Sequence, residues 1–169
     1  MKKTVITIIA TLGLALGTTA TAATASTTAK LAARPTMTAA LFASSGFAPK
    51  CPPVGVVGKA LGLTLSGSHF TNEDGTVECY YTSKGTSVPK ATIQWLTYQA
   101  RATFSSDKQF YKSLGTAVLV TSLGKGVAAF GVPSTFLELL KGTALCTIKA
   151  GVSLAKLTVL ASELLKSYW

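Results

Sequence analysis

His69 is the one side chain of this sequence that could act as a general base near neutral pH, because the chain has a single histidine. It follows Ser68 and precedes Cys79, so Ser–His or Cys–His nucleophilic chemistry is the reaction type to weigh. Such a site needs a nucleophile within hydrogen-bond reach of the base and a third group that orients the base. Glu73 and Asp74 are close in sequence, but all of these residues lie at or beside a predicted hairpin tip, where polar residues are common. We predict no catalytic site here.

The six acidic residues give little support for glycoside hydrolysis, which requires two carboxyl groups flanking a cleft. Glu73, Asp74 and Glu78 cluster in the predicted hairpin. The other three are predicted to be separate surface positions: Asp107, Glu138 and Glu163. The sequence therefore predicts a protein that is not an enzyme.

The N-terminus has the pattern of a secretory signal peptide. Lys2 and Lys3 precede an apolar stretch over residues 5–16, and small residues that suit a signal peptidase follow it. The stretch is shorter than the roughly 18–20 apolar residues that a membrane-spanning helix needs. We predict a signal peptide over residues 1–25 and a secreted, extracellular protein.

The rest of the chain divides into a tether and a domain. Residues 26–49 are rich in Ser, Thr and Ala and predict a flexible segment, whereas residues 50–169 are long enough for a single domain. The net charge is +10, but no run of basic residues and no basic helix with interleaved aromatics occurs. We expect a monomer without a transmembrane segment in the mature chain, whose partner is a protein or a cell-envelope ligand and not nucleic acid.

Three cysteines in an exported chain predict one disulfide and one free thiol. Three pairings are possible, and we favour Cys51–Cys79 because the intervening residues form a compact unit of one helix and one hairpin. Cys146 lies in an apolar alternating run, which is typical of a buried small hydrophobic residue. A reactive thiol or an intermolecular bridge at Cys146 is the alternative. With one histidine and no CxxC pair, neither a metal site nor a cofactor is expected.

The hydrophobic periodicity predicts an α+β fold with the element order α-β-β-β-α-β-β-β-β-α. Helices are expected from Val54 to a C-terminal cap at Gly62, from about Ser105, and from Leu154 to the end of the chain. Strands are expected over residues 63–70, 76–82, 91–100, 118–121, 127–130, 136–140 and 143–150. We predict an antiparallel sheet with the long C-terminal helix and the shorter helices packed on one face.

Several short motifs resemble a known type of protein. They are Cys51-Pro52 before a helix ending at Leu61-Gly62, Cys79-x-Tyr81 in a strand, Leu123-Gly124-x-x-Val127-Ala128, and a Leu-rich terminal helix. The pattern resembles small extracytoplasmic domains of actinobacterial lipoproteins of unknown function, and more distantly the sensor domains of membrane Ser/Thr kinases. The resemblance implies an α+β antiparallel fold, paired early cysteines and no enzymatic activity. The chain departs from the type in lacking a lipid-attachment cysteine and in carrying Lys125 where an acidic residue is common.

Four aromatic residues are the candidates for contact with a ligand or partner: Tyr80, Tyr81, Trp95 and Tyr98. They alternate on two predicted strands, so half of them should point away from the core and could form a docking surface. The inward half could instead line an apolar pocket or simply complete the core. We predict a secreted binding module that uses a sheet face or apolar pocket. The alternatives are a carrier or sensor of an apolar small molecule, a secreted inhibitor, and an enzyme that uses His69.

Overall fold

The computed structural model describes residues 49–73 and 75–169. The predicted signal peptide, nearly all of the predicted flexible segment and Asp74 lie outside the described residues. The described part contains helices and strands in the predicted order. The helices are α1 (Val54–Leu61), α2 (Ala100–Ser113) and α3 (Leu154–Ser167). The strands are β1 (Gly67–Glu73), β2 (Thr76–Thr82), β3 (Pro89–Leu96), β4 (Val118–Leu119), β5 (Val127–Val132), β6 (Phe136–Lys141) and β7 (Ala144–Ala150).

All seven strands form one antiparallel sheet in the order β1-β2-β3-β7-β6-β5-β4. Two runs of strands, β1 to β3 and β4 to β7, each pair with their neighbours in sequence. The two runs meet where β3 pairs with β7, from Ala91 opposite Ala150 to Leu96 opposite Leu145. The α+β class and the antiparallel sheet are therefore confirmed.

The main core lies on one face of this sheet, under α1 and α3. Successive strand residues point to opposite faces, and every second residue of β2 is buried. The buried face of α3 supplies Leu157, Leu160, Ala161 and Leu164. The sheet side chains that these helices cover include Val77, Cys79, Tyr81, Ile93, Trp95, Leu137, Leu139, Cys146 and Ile148. Of the helices that the structure describes, none is long and apolar enough to cross a membrane.

Helix α2 lies on the opposite face, which corrects the prediction that all helices share one face. Its residue Phe104 packs in a second apolar cluster with Phe130, Phe136 and Leu145, and these three alternate with the residues of the main core. The helix also begins at Ala100, earlier than the predicted start near Ser105. Both Ala100 and Phe104 are buried, so the apolar stripe that holds the helix to the sheet extends into its first turn.

The disulfide between Cys51 and Cys79 is confirmed, and it joins the start of α1 to the centre of β2. The adjacent Tyr81 hydroxyl donates a hydrogen bond to the backbone carbonyl of Pro52 at 2.9 Å, so two links hold the same junction. Gly62 ends α1 in the left-handed conformation with φ 66°, as predicted from its position. The short helix is therefore fixed at both ends.

Cys146 is buried and unpaired, as predicted. Burial raises the pKa of its thiol well above the usual value, with a smaller contribution from the charge of Glu138. Because the thiolate is the reactive form of cysteine, this thiol has low reactivity in the folded domain.

We expect reduction of the Cys51–Cys79 disulfide to destabilise the domain by about 3–4 kcal/mol, because the bond closes a long loop in the unfolded chain. Thermal unfolding with and without reductant measures this effect. Wild type and Cys146→Ala should both lose stability on reduction. The double variant Cys51→Ala/Cys79→Ala should already be destabilised and should not respond to reductant. A response in the double variant would contradict the assignment.

Candidate functional site

The sheet face that carries α2 holds a row of polar side chains. The strand registers place Glu78 opposite Gln94, Gln94 opposite Thr147, and Thr147 opposite Glu138. Directly opposite residues on antiparallel strands have Cβ atoms about 5 Å apart. The four side chains therefore form one continuous line across β2, β3, β7 and β6.

The two rows beside this polar line differ in character. One is apolar and consists of Leu96, Leu145 and Leu140. The other is mixed and consists of Tyr80, Thr92, Lys149 and Phe136. A ligand on this face would meet hydrogen-bonding groups in the middle, apolar surface on one side and a mixed surface on the other.

Helix α2 covers one end of the polar line and encloses a cleft of about 370 Å³ against the sheet. The polar lining residues are Gln94, Thr103, Asp107, Glu138, Thr147 and Lys149. The other lining residues are Leu96, Phe110, Tyr111, Phe136 and Leu145. The volume lies within the usual range for small-molecule sites, and polar and apolar residues contribute almost equally to the lining.

Glu138 is the most unusual member of the cleft because its carboxyl group is buried. The residue is 5% exposed, and its Oε2 atom has no hydrogen-bond partner. Burial, together with the charge and hydrogen bonding of Asp107, raises the pKa of Glu138 to about 8, against weaker opposing effects of Lys149 and Thr147. Near neutral pH Glu138 therefore carries a proton.

The placement of Glu138 beside Asp107 corrects the prediction that the two are separate surface positions. The sequence Phe136-Leu137-Glu138-Leu139-Leu140 contains a signal for the burial of Glu138. Apolar residues occupy both faces of this strand, which is typical of a strand that is covered on both faces. The pairing with Asp107 has no such signal. It depends on α2 crossing β6 and β7, which is a contact between elements distant in sequence.

The four aromatic candidates do not form one cluster. Tyr81 and Trp95 are fully buried under α1 and α3, so no partner can reach them in the folded domain. Of the three positions that the sequence left open for them, a docking surface, an apolar pocket and the core, the structure shows the core, because their phase in the strands turns them toward α1 and α3. Tyr98 lies in the turn before α2 and is 55% exposed, and Tyr80 lies in the mixed row of the α2 face.

Tyr80 belongs to a small polar group on the part of the sheet beyond α2. Its hydroxyl donates a hydrogen bond to the Glu78 carboxylate, and this bond is the main reason that the pKa of Tyr80 is raised. The ring stacks with His69 of the neighbouring strand, with ring centroids 6.3 Å apart. Tyr80 and Glu78 therefore mark the open end of the polar line, while Glu138 marks its covered end.

His69 is not assembled with the nucleophiles close to it in sequence. Ser68 points to the opposite face of β1, and Cys79 is held in the disulfide. Across residues 49–73 and 75–169, no three His, Cys, Asp or Glu side chains are grouped so that they could hold a metal ion.

Neither a protein-family model nor a curated protein matches this chain. The resemblance to extracytoplasmic lipoprotein domains therefore stays a prediction from the motifs alone.

Replacing Glu138 with Gln should remove a pH-dependent loss of stability. Between the ordinary pKa of 4.5 and the folded value of about 8, the folded domain holds a proton that the unfolded chain has lost. The free energy of unfolding should therefore fall by roughly 4 kcal/mol as the pH rises through this window. Glu138→Gln mimics the protonated side chain, so it should match wild type at pH 5 and exceed it at pH 8.

Urea unfolding at both pH values measures the difference between the two proteins. The matched control is Glu163→Gln, which removes a carboxylate that is paired with Lys166 on the surface of α3. This control should follow the wild-type pH dependence. The same pH dependence in Glu138→Gln as in wild type would show that Glu138 ionises normally.

Proposed function

We propose that this protein is a secreted, non-enzymatic binding module that holds a small ligand in the cleft between α2 and the sheet. The observation that carries the proposal is the buried Glu138 carboxyl group, which lines the cleft with one oxygen unpartnered. A buried polar group without a partner lowers stability, and a ligand that supplies the missing hydrogen bond would offset that loss.

The electrostatics of the cleft support the same proposal. Glu138 has a pKa that burial and a specific partner, Asp107, shift far from its ordinary value. Ionisable groups with shifted pKa values in a cleft are candidates for functional sites. A buried ionisable residue that serves no function could be replaced by an apolar residue of similar size with a gain in stability. The apolar walls at Phe136 and Leu145 would bury the remainder of the ligand.

Tyr80 remains a candidate ligand contact in this proposal, whereas Tyr81 and Trp95 contribute only to the packing of the main core. It lies on the same sheet face as the cleft, with Glu78 in its hydrogen-bonding reach. A ligand longer than the cleft would extend along the polar line toward this pair. The aromatic ring and the carboxylate would then contact the part of the ligand that α2 does not cover.

We tie the proposed secretion to the Cys51–Cys79 disulfide, because such bonds persist in oxidising compartments. Mass spectrometry of protein from the culture medium tests it. The expected mass corresponds to cleavage after Ala22 or Ala25 and to the loss of two hydrogen atoms for the one disulfide. An uncleaved chain that stays inside the cell with reduced thiols would refute secretion.

A bulky residue on the helix side of the cleft should abolish ligand binding. Thr103 of α2 lines the cleft and is partly exposed, so Thr103→Trp would fill the space without opening the core. The matched control is Gln109→Trp on the exposed surface of the same helix.

Binding can be followed by chemical-shift changes at the backbone amides of Gln94 and Thr147. The probes are 2-phenylethylamine, 2-phenylethanol and 3-phenylpropanoate, which share an apolar body and differ in charge. At least one probe should shift these amides in wild type and in Gln109→Trp but not in Thr103→Trp. Shifts that persist in Thr103→Trp would place the binding site elsewhere.

A further inference from the structure

The cleft contains an arrangement of charges that selects among small ligands. Glu138 of β6 and Asp107 of α2 both line the cleft, which brings together two of the few carboxyl groups of a basic chain. Lys149 lines the same cleft but forms no ion pair with either carboxylate, since the ion pair that the described residues contain joins Lys166 to Glu163. The two carboxyl groups are therefore left to repel each other or to share a proton.

We propose that the ligand is a small organic ammonium ion whose charged group binds between the carboxyl groups of Glu138 and Asp107 and whose apolar substituent lies against Phe110 and Phe136. This proposal rests on the proposed function, because it names the chemical class of ligand for the same cleft. It uses three observations, namely the two carboxyl groups that line one cleft, the unpartnered Oε2 atom of Glu138 and the exposed Phe110 ring at the edge of that cleft.

An ammonium group fits the polar end of the cleft because it donates three hydrogen bonds and accepts none. The two carboxyl groups and the Thr147 hydroxyl, which faces the same space, all can accept. One positive charge between two carboxylates also removes their mutual repulsion. A carboxylate ligand would instead place a further negative group beside Asp107 and leave Lys149 as its one ionic partner.

The apolar end of the cleft fits a flat or branched substituent. Phe136 and Leu145 are buried in its wall, while Phe110 is 56% exposed at its edge. The Phe110 ring lies edge-on to the ring of Tyr111, which also lines the cleft, with centroids 5.1 Å apart. A bound apolar group would cover part of Phe110 and remove that surface from water.

Binding of an ammonium ion is coupled to release of a proton. Three ionisable groups line the cleft with Glu138: Asp107 and Tyr111 from α2, and Lys149 from β7. From β5, the residue opposite Glu138 is the uncharged Phe130. When the ammonium ion binds, the proton on Glu138 passes to solvent and the ligand keeps its own. Because the pKa of Glu138 is about 8, affinity should rise close to tenfold between pH 6 and pH 7 and level off above pH 8.

The test compares 2-phenylethylamine with 2-phenylethanol and 3-phenylpropanoate in NMR titrations of the full chain at pH 6, 7 and 8. The amine should bind at least tenfold more tightly than either of the other two at pH 8, and only the amine should show the pH dependence. Calorimetry at pH 7 in phosphate and in Tris should show release of about one proton per amine bound.

Charge-neutralising variants separate the roles of the individual residues. Glu138→Gln should remove both the preference for the amine and its pH dependence, and Asp107→Asn should weaken amine binding about tenfold. Lys149→Gln should strengthen it, because a repelling charge is lost. The control Glu163→Gln should bind as wild type does.

The remaining outcomes distinguish this inference from the proposed function. Equal binding of the three probes, or tighter binding of 3-phenylpropanoate, would overturn the inference that the ligand is an ammonium ion. The proposal that the cleft binds a small ligand would then still stand. No shift at Gln94 or Thr147 with any probe would overturn both proposals. Amine binding that is unchanged in Glu138→Gln would also overturn the inference, because the charged group would then bind elsewhere.

Discussion

The pairing of β3 with β7 is the constraint on which the rest of the domain depends. It joins the two runs of strands into one sheet and fixes which side chains share a face. On one face the register brings Trp95 beside Cys146 and Ile93 beside Ile148, which makes a continuous surface for α1 and α3. On the other face the same register brings Gln94 beside Thr147. A shift of one residue would exchange the core with the cleft.

Local features of the fold were predictable because their causes are close in sequence. Gly62 ends α1, the hairpin between β6 and β7 is marked by alternation around Lys141-Gly142, and the apolar stripe of α3 repeats with helical spacing. The disulfide was predictable because two cysteines bracket one helix and one hairpin. Each of these predictions needed only the residues within a single element or between neighbouring elements.

The candidate site was not predictable in the same way, because its residues meet through packing between distant elements. Alternation indicates that Tyr80 and Tyr81 face opposite sides, but not which side the C-terminal helix covers. In the structure α3 covers the side that carries Tyr81, which places this residue in the core. Helix α2 covers the other side, which carries Glu138. The leucines that flank Glu138 indicate that it is buried, but they do not indicate that Asp107 lies beside it.

The strand order also has a consequence for the path of folding. Each run of strands is built from pairings between neighbours in sequence, which form quickly because little loop entropy is lost. The two runs can join only when β7 is available, since Ala91 pairs with Ala150 and 58 residues lie between them. We therefore expect the pairing of β3 with β7 to be the slow step of folding. Because β7 pairs with both β3 and β6, a chain that ends before residue 144 lacks the strand that joins the two halves of the sheet.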